Sequence, residues 1–268
     1  MGTDVASHDK WSSGDSYERY VGRWSRLVAK EFIRWLAIPP DRQWLDVGCG
    51  TGALSQTILR SANPKQVTGI DRSEDYVNTA RNSINRPNAD FRAGDAQSLP
   101  VESGMYDVAV SGLVLNFVPQ PGQMIAEMQR AVKTNGMVAV YVWDYAGKMQ
   151  FMRHFWNAAI ALDPAIADHD EGKRFPICSP DALPSLFRSV GLLRSETRPI
   201  DIATDFKDFN DYWNPFLGGQ GPAAGYAMSL SEERRARLRE RIYNSLPFAM
   251  DGSIPLVARA WAIKGFKQ

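Results

Sequence analysis

The feature that most constrains this chain is the segment 43–52, which reads Gln-Trp-Leu-Asp-Val-Gly-Cys-Gly-Thr-Gly. A short apolar run ends there in an acid and breaks into three alternating glycines, as a strand does on entering a tight turn. Gly48, Gly50 and Gly52 have no Cβ, so the backbone can approach a bound molecule closely. The pattern predicts a strand, a ligand-binding turn and a helix over 53–61 whose free N–H groups face the ligand.

The spacing of this turn distinguishes two kinds of cofactor. Dinucleotide-binding folds use Gly-x-Gly-x-x-Gly and hold a pyrophosphate at the helix N-terminus. Here the glycines alternate and Asp46 precedes them. A carboxylate at that position repels a pyrophosphate but suits a ligand with an ammonium group. The spacing therefore disfavours a nicotinamide-dependent oxidoreductase, which remains one alternative function.

Three further segments follow in the order that a repeated strand-helix unit predicts. A second strand, 66–71, ends in Asp71, which lies 71 − 52 = 19 positions after the last glycine and can accept both hydroxyls of a ribose. A third strand, 89–93, leads into Gly94-Asp95-Ala96. A fourth, 106–110, runs into Ser-Gly-Leu-Val-Leu-Asn-Phe at 111–117.

Together the four segments resemble the class I S-adenosylmethionine (SAM) methyltransferases, and in particular the bacterial small-molecule group of ubiquinone and menaquinone biosynthesis. The resemblance implies an α/β fold with a Rossmann-like, doubly wound sheet of seven strands, the last one antiparallel, and helical cap insertions. It implies SAM as cofactor, S-adenosylhomocysteine as product, and methyl transfer by in-line displacement to a small-molecule acceptor. A noncatalytic SAM-binding protein is the second alternative.

The resemblance also implies a set of cofactor-binding residues. Asp95 would accept a hydrogen bond from the adenine amino group, and the backbone of the next residue would meet the ring. The N-terminal segment resembles helices that lie across the SAM site, so residues 1–40 are expected to form a lid to which Tyr20, Arg23 and Trp24 contribute. The predicted cofactor contacts are Asp46, Gly48, Cys49, Gly50, Gly52, Asp71, Arg72, Asp95, Ala96, Ser111, Asn116, Tyr20 and Arg23.

Length and the later strands predict one domain over 1–268. A helix over 123–133, ended by Asn135-Gly136, precedes a fifth strand over 137–143, and further strands are expected over 192–202 and 256–263. A helix should start near Ser179-Pro180-Asp181. Residues 217–225 are rich in glycine and are expected to be irregular structure. They would form either a mobile gate beside the acceptor or a surface loop.

The stretches 145–178 and 205–250 lie outside these strands and are rich in aromatic residues, so they are expected to be cap insertions that enclose the acceptor. Alternatively the aromatic side chains only hold the insertions together. The predicted acceptor pocket consists of Trp143, Trp156, Trp213, Phe216 and Tyr226.

A general base is needed only if the acceptor must lose a proton. His8, His154 and His169 are the imidazoles of the chain. His154, in an aromatic insertion, is the predicted catalytic base, although an acidic carbon, thiol or carboxylate acceptor would need no strong base.

Composition narrows the class of partner. The chain has 31 Lys and Arg against 30 Asp and Glu, a formal charge of +1, which favours neither nucleic acid nor an anionic membrane. The Asn/Asp-Pro-Pro-Tyr/Phe motif of exocyclic-amine nucleic-acid methyltransferases does not follow the fourth strand. Cys49 and Cys178 are too few for a disulfide framework or a zinc site, so no metal is expected. No long apolar segment suggests a signal peptide or a membrane span, and a cytoplasmic protein is expected.

Overall fold

The computed structural model describes residues 23–218 and 221–268. Its seven-stranded sheet has the order β3-β2-β1-β4-β5-β7-β6. The first five strands pair in parallel and β7 runs antiparallel to β5. The strands are β1 (Gln43–Val47), β2 (Gln66–Asp71), β3 (Ala89–Ala93), β4 (Tyr106–Gly112), β5 (Val132–Trp143), β6 (Leu193–Ala203) and β7 (Val257–Phe266). The predicted fold class is confirmed.

The described chain divides into two compact units. The unit that we call the sheet unit covers residues 25–143, 177–200 and 260–268, and the described part of the other, the insertion unit, covers 23–24, 144–176, 201–218 and 221–259. Residues 145–176 and 205–250 of the predicted insertions thus fall in the insertion unit, apart from the undescribed positions 219 and 220.

The helices between the strands bury one apolar face each. In the helix that precedes β5, Met124, Ile125 and Met128 are fully buried, as their spacing predicts. The helix after the glycine turn begins and ends where the sequence predicts. With α1 (Arg23–Leu36), which precedes β1, the helices around the strands are α2 (Ala53–Ser61), α3 (Glu74–Ser83), α4 (Pro121–Ala131) and α7 (Ala182–Ser189).

The fifth strand is longer than predicted, and the preceding helix begins and ends two residues earlier. β5 begins at Val132, so the expectation that helix continues to residue 133 was wrong. Asn135 has a positive φ of 62° and donates its N–H to the carbonyl of Lys267 at 3.1 Å. The Asn-Gly pair therefore bends an extended chain that is already paired with the residues after β7, rather than ending a helix.

The insertion unit is helical. Its helices are α5 (Gln150–Leu162), α6 (Glu171–Arg174), α8 (Phe209–Trp213), α9 (Pro222–Ser229) and α10 (Glu232–Ser245), with 3-10 turns over Pro164–His169 and Asn214–Gly218. The expectation of irregular structure over 217–225 was wrong from Pro222 onward. Proline at the first helical position and the alanines after it favour a helix, and Ala223 and Ala224 are fully buried.

Candidate active site

The glycine turn follows β1 and is hydrogen-bonded to the carboxyl end of β2. The N–H groups of Gly48 and Cys49 both donate to the carbonyl of Ile70, at 2.7 and 3.0 Å, and Gly52 donates to the carbonyl of Cys49 at 2.9 Å. The three glycines have φ angles of 73°, 53° and 90°, the left-handed region that other residues enter at a cost. The backbone of the turn is thereby fixed before any ligand binds.

The three glycines are not equivalent in their surroundings. A Cβ on Gly48 would lie 2.6 Å from the methyl groups of Val114, and one on Gly52 would lie 2.5 Å from Cδ1 of Ile84. A Cβ on Gly50 would have no described atom within 4 Å. A side chain at Gly48 would therefore clash with Val114 and one at Gly52 would displace the end of Ile84, whereas the space beside Gly50 is open to a ligand.

Asp46 is a fully buried carboxyl group at the end of β1. Its Oδ2 accepts a hydrogen bond from Oγ of Ser55 at 2.6 Å, and its Oδ1 has no hydrogen-bond partner among the described residues. Burial raises the pKa of Asp46 to about 7, against the opposing effect of the Ser55 hydrogen bond. A cationic group at Oδ1 would stabilise the ionised carboxylate.

Asp71, at the end of β2, holds two segments of backbone. Its Oδ2 accepts from the N–H of Gly50 and its Oδ1 from the N–H of Ser73, each at 2.9 Å. Ser73 is the N-cap of α3. Each carboxylate oxygen keeps a further lone pair, so Asp71 can still accept from two adjacent hydroxyls.

The end of β4 and the residues after it supply further polar atoms without partners in the described structure. Ser111 is 1% exposed, and both its Oγ and the Nδ2 of Asn116 are buried without a hydrogen bond in the described structure. Between them Leu113 has a φ of 64°, a conformation that is strained for a leucine. Its N–H donates to the carbonyl of Tyr141 at 2.8 Å, which holds the strained backbone in place.

The remaining predicted cofactor residues of the sheet unit are more exposed, with one exception. Asp95 is exposed and its Oδ1 accepts from the N–H of Gln97 at 2.8 Å. Ala96 is partly buried beside it, and Arg72 is exposed. The thiol of Cys49 instead packs in an apolar cluster with Val77, Ala80, Ile84 and Phe91, where burial raises its pKa, so only the backbone of Cys49 can serve a ligand.

Buried polar atoms nearly always have hydrogen-bond partners in folded proteins, and exceptions call for an explanation. Here Oδ1 of Asp46, Oγ of Ser111 and Nδ2 of Asn116 belong to residues at or just beyond the carboxyl ends of β1 and β4, which are neighbours in the sheet. This is the edge at which open α/β sheets bind ligands. A carboxylate oxygen, a hydroxyl group and an amide N–H donor suit a ligand that is polar and carries a positive charge, as SAM does.

Arg23 lies in the insertion unit, whereas Tyr20 lies outside the described residues. The Arg23 guanidinium packs over the rings of Trp24 and Phe206, 4.5 and 4.7 Å from their centroids. Its Nη1 pairs with Asp211 at 3.1 Å. Its Nε and Nη2 are buried without a partner in the described chain.

Trp24 itself is 4% exposed and contacts Phe151 edge-on at 5.5 Å between ring centroids. In the described structure it is therefore part of the core of the insertion unit.

His154 lies on α5, and its Nδ1 is 3.2 Å from Oγ of Ser245 at the end of α10. Burial lowers its pKa, so the ring is neutral at pH 7 and can accept a proton. Its predicted role as a base stays a prediction.

The predicted acceptor residues fall in both units. Trp143 is 2% exposed on β5 in the sheet unit. In the insertion unit Phe216 is fully buried and stacks on Phe155 at 4.5 Å and Phe151 at 4.6 Å. Trp213 is 4% exposed and lies parallel to Phe209 at 6.3 Å. These contacts hold the insertion unit together, as the alternative interpretation expects.

Trp156 and Tyr226 occupy a neighbouring part of the insertion unit, 6.1 Å apart between ring centroids. The indole N–H of Trp156 donates to Oε2 of Glu171. Burial raises the pKa of Glu171 to about 7. Tyr226 is partly exposed and is the least enclosed of the predicted acceptor residues in this unit.

Sequence reasoning missed the residues that support the predicted ones. Ser55 is recognisable only in retrospect, nine positions after Asp46 on the buried face of α2. Neither the strain at Leu113 nor the burial of Glu171 against Trp156 has a signal in a single sequence.

Among the described residues no cluster of three or more His, Cys, Asp or Glu could hold a metal ion. None of the described helices is both long and apolar enough to cross a bilayer.

Comparison with known proteins also indicates a methyltransferase. A family model described as "Methyltransferase domain" matches residues 45–140, the part of the chain from β1 to β5. The demethylmenaquinone methyltransferase of Staphylococcus aureus is 30% identical over 203 residues, which make up 71% of this chain and 82% of that protein.

Two further matches cover less of the other protein. An uncharacterized 37.1 kDa protein in transposon TN4556 of Streptomyces fradiae is 35% identical over 103 residues, 38% of this chain and 30% of that protein. Among solved structures, phosphoethanolamine N-methyltransferase 2 of Haemonchus contortus, in complex with S-adenosylhomocysteine, matches with a TM-score of 0.61 at 11% identity. That match covers 99% of this chain and 60% of the other, and it concerns the fold.

The glycine turn, the acid at the end of β2, the order of the strands and the relative covered over 82% of its length all indicate one family. The chain belongs to the class I SAM-dependent methyltransferases.

Proposed function

We propose that this enzyme transfers the methyl group of SAM to a small, largely apolar acceptor of the quinone class. The S. aureus relative is named for demethylmenaquinone, a quinone. The observation in this chain that supports the acceptor class is Tyr226, a partly exposed aromatic ring beside Trp156 in the insertion unit. Aromatic side chains offer large apolar contact area for a ring-shaped acceptor.

We further propose how the chain holds the cofactor. The free Oδ1 of Asp46 accepts from the ammonium group of SAM, Asp71 accepts from the ribose hydroxyls, and Asp95 accepts from the adenine amino group. Each assignment pairs a polar group that has remaining hydrogen-bonding capacity with the complementary group of the ligand.

When bound, SAM supplies an electrophilic methyl group on a sulfonium. An electron pair of the acceptor forms the new bond to the methyl carbon as the bond between that carbon and sulfur breaks, and the bonding pair stays on sulfur in S-adenosylhomocysteine. The contribution of Asp46 and Asp71 is to fix the direction of the methyl group. Such positioning is worth roughly 7–11 kcal/mol in favourable cases.

An acceptor that bears a proton on its reacting atom releases it to a base or to water. We predict that His154 is this base, because its ring is neutral at pH 7. The substitution His154→Gln should then lower kcat by about 10²- to 10⁴-fold and leave SAM affinity unchanged. An unchanged kcat in a folded variant would mean that the proton goes directly to water.

The proposal can be tested with methyl-labelled SAM and a panel of acceptors that includes reduced short-chain naphthoquinones, simple phenols and single-stranded and duplex oligonucleotides. We expect label in the quinol products, with mass spectra that show one added methyl group. The Asp46→Asn variant is the matched control, since it should lose the label at equal SAM concentration. Labelling of oligonucleotides in place of quinols would overturn the proposed acceptor class but not the cofactor.

A further inference from the structure

A groove behind the glycine turn has a chemistry that methyl transfer does not use. It encloses a space of about 280 Å³ between the second half of α2 and the end of α3. Its lining residues all belong to the sheet unit and are Gln56, Leu59, Arg60, Ser83, Ile84, Asn85 and Arg86. We call this space the arginine groove.

The polar lining of the arginine groove is cationic. Arg60 and Arg86 provide two guanidinium groups and no acid lines the groove. Both arginines are exposed, and neither guanidinium has an ion pair within the described part of the chain. The amides of Gln56 and Asn85 add N–H donors. Two guanidinium groups and neutral N–H donors that line one groove are the chemistry that recognises a phosphate group.

Helix ends oppose this charge only in part. α2 ends at Ser61 and α3 at Ser83, and each helix C-terminus carries roughly half a negative charge. Two guanidinium groups therefore leave a net positive potential in the groove.

The floor of the arginine groove touches the cofactor turn. Ile84 lines the groove, and its Cδ1 would be 2.5 Å from a Cβ placed on Gly52. Gly52 closes the glycine turn through its hydrogen bond to Cys49. A ligand that holds the segment 84–86 against α2 therefore holds the side chain that packs on this turn.

We propose that the arginine groove binds a small organic phosphate and that this binding strengthens the binding of SAM. Arg60 and Arg86 contact the phosphate oxygens, and Ile84 transmits the effect to Gly52 by packing. Linkage requires the effect to be mutual, so SAM must raise the affinity for the phosphate ligand by the same factor.

Calorimetry at constant ionic strength can test the site, with pyrophosphate, inorganic phosphate and acetate as probes and with the protein saturated with S-adenosylhomocysteine. Saturation prevents the probes from entering the cofactor site. We expect pyrophosphate to bind best and acetate worst. Arg60→Gln and Arg86→Gln should each weaken pyrophosphate at least tenfold, whereas Lys30→Gln, which removes an exposed charge on α1, should change it less than twofold.

Coupling is measured separately, as the dissociation constant of SAM with and without saturating pyrophosphate. We expect a several-fold tightening that disappears in the Arg60→Gln and Arg86→Gln double variant. No binding of pyrophosphate, or equal binding by all variants, would overturn the site. Binding without any change in SAM affinity would overturn the coupling, and preference for a single-stranded oligonucleotide over pyrophosphate would overturn the small-ligand assignment.

Discussion

The carboxyl edge of the sheet and the aromatic cluster around Phe216 in the insertion unit differ in whether their side chains already have partners in the protein. At the sheet edge, buried atoms of Asp46, Ser111 and Asn116 lack hydrogen-bond partners among the described residues. In the aromatic cluster, Phe216 is enclosed by rings on several sides, and the hydroxyl of Tyr212 donates to the carbonyl of Phe151 at 2.8 Å.

The difference separates binding from stability. Polar groups left without partners reduce the stability of the folded protein and gain their partners from a ligand, so substitutions there should affect affinity more than folding. Aromatic rings that already fill their space contribute to folding whether or not a ligand is present. The two regions should therefore respond to substitution in opposite ways.

The largest effect should come from the aromatic cluster. Phe216→Ala removes a fully buried ring, and such truncations cost about 3–5 kcal/mol of folding free energy. Chemical denaturation of the protein without ligand measures this cost, and Leu217→Ala, at a residue 39% exposed, is the control that should cost less than about 1 kcal/mol. If Phe216→Ala leaves stability unchanged but weakens the acceptor, the ring is a pocket wall rather than core.

Asp46→Asn should show the reverse behaviour. The substitution keeps an acceptor for Ser55 but removes the charge that we propose faces the ammonium group of SAM. We expect SAM binding at pH 8 to weaken by about 1.5–3 kcal/mol, and calorimetry measures it. Equal affinities of variant and wild type would contradict the ammonium contact.

The pKa of Asp46 adds a pH dependence of known sign. Because burial raises it from 3.8 to about 7, the folded state favours the neutral acid, and the wild type loses stability as pH rises from about 4 to 7. Asp46→Asn should therefore unfold at a higher temperature than the wild type at pH 8, and the gap should narrow toward pH 4. In the wild type SAM affinity should fall as pH drops below 7, and in the variant this dependence should vanish.

Much of the sheet edge could be predicted from the sequence because its signals are local. The alternating glycines and the acids at the ends of β1 and β2 are spaced by the strand-turn-helix geometry itself, so Gly48, Gly50 and Gly52 lie where the pattern places them. The partners of the acids were not predictable in the same way. Ser55 faces Asp46 only because α2 packs on the sheet at one particular rotation.

The insertion unit was predictable in extent but not in detail. Its aromatic composition marks it as apolar, yet composition does not distinguish a ring that packs on other rings from one that awaits a ligand. Phe216 and Tyr226 have the same sequence signal, but one is fully buried and the other partly exposed. The helix at Pro222 was missed because neighbouring glycines outweighed the alanines in a local reading.

Gly48 and Gly50 of the glycine turn differ in what a single added methyl group would contact. Gly48→Ala would press a Cβ against Val114 and should destabilise the fold by about 1–3 kcal/mol. Gly50→Ala meets no described atom, so only its positive φ should cost stability, about 1 kcal/mol. We expect Gly50→Ala, measured by denaturation and calorimetry together, to lose more SAM affinity than stability, because its methyl group would occupy the ligand's space.

The smallest effect should come from Ser55→Ala, which leaves Asp46 in place but removes the hydrogen bond that lowers its pKa. The pKa of Asp46 should then rise further above its ordinary value, so the pH at which SAM affinity reaches half of its maximum should move upward. At pH 7 the variant should bind SAM a few-fold more weakly, and at pH 9, where the carboxyl group is ionised in both proteins, the difference should nearly disappear. A deficit of equal size at both pH values would mean that Ser55 acts on SAM by packing rather than through the charge of Asp46.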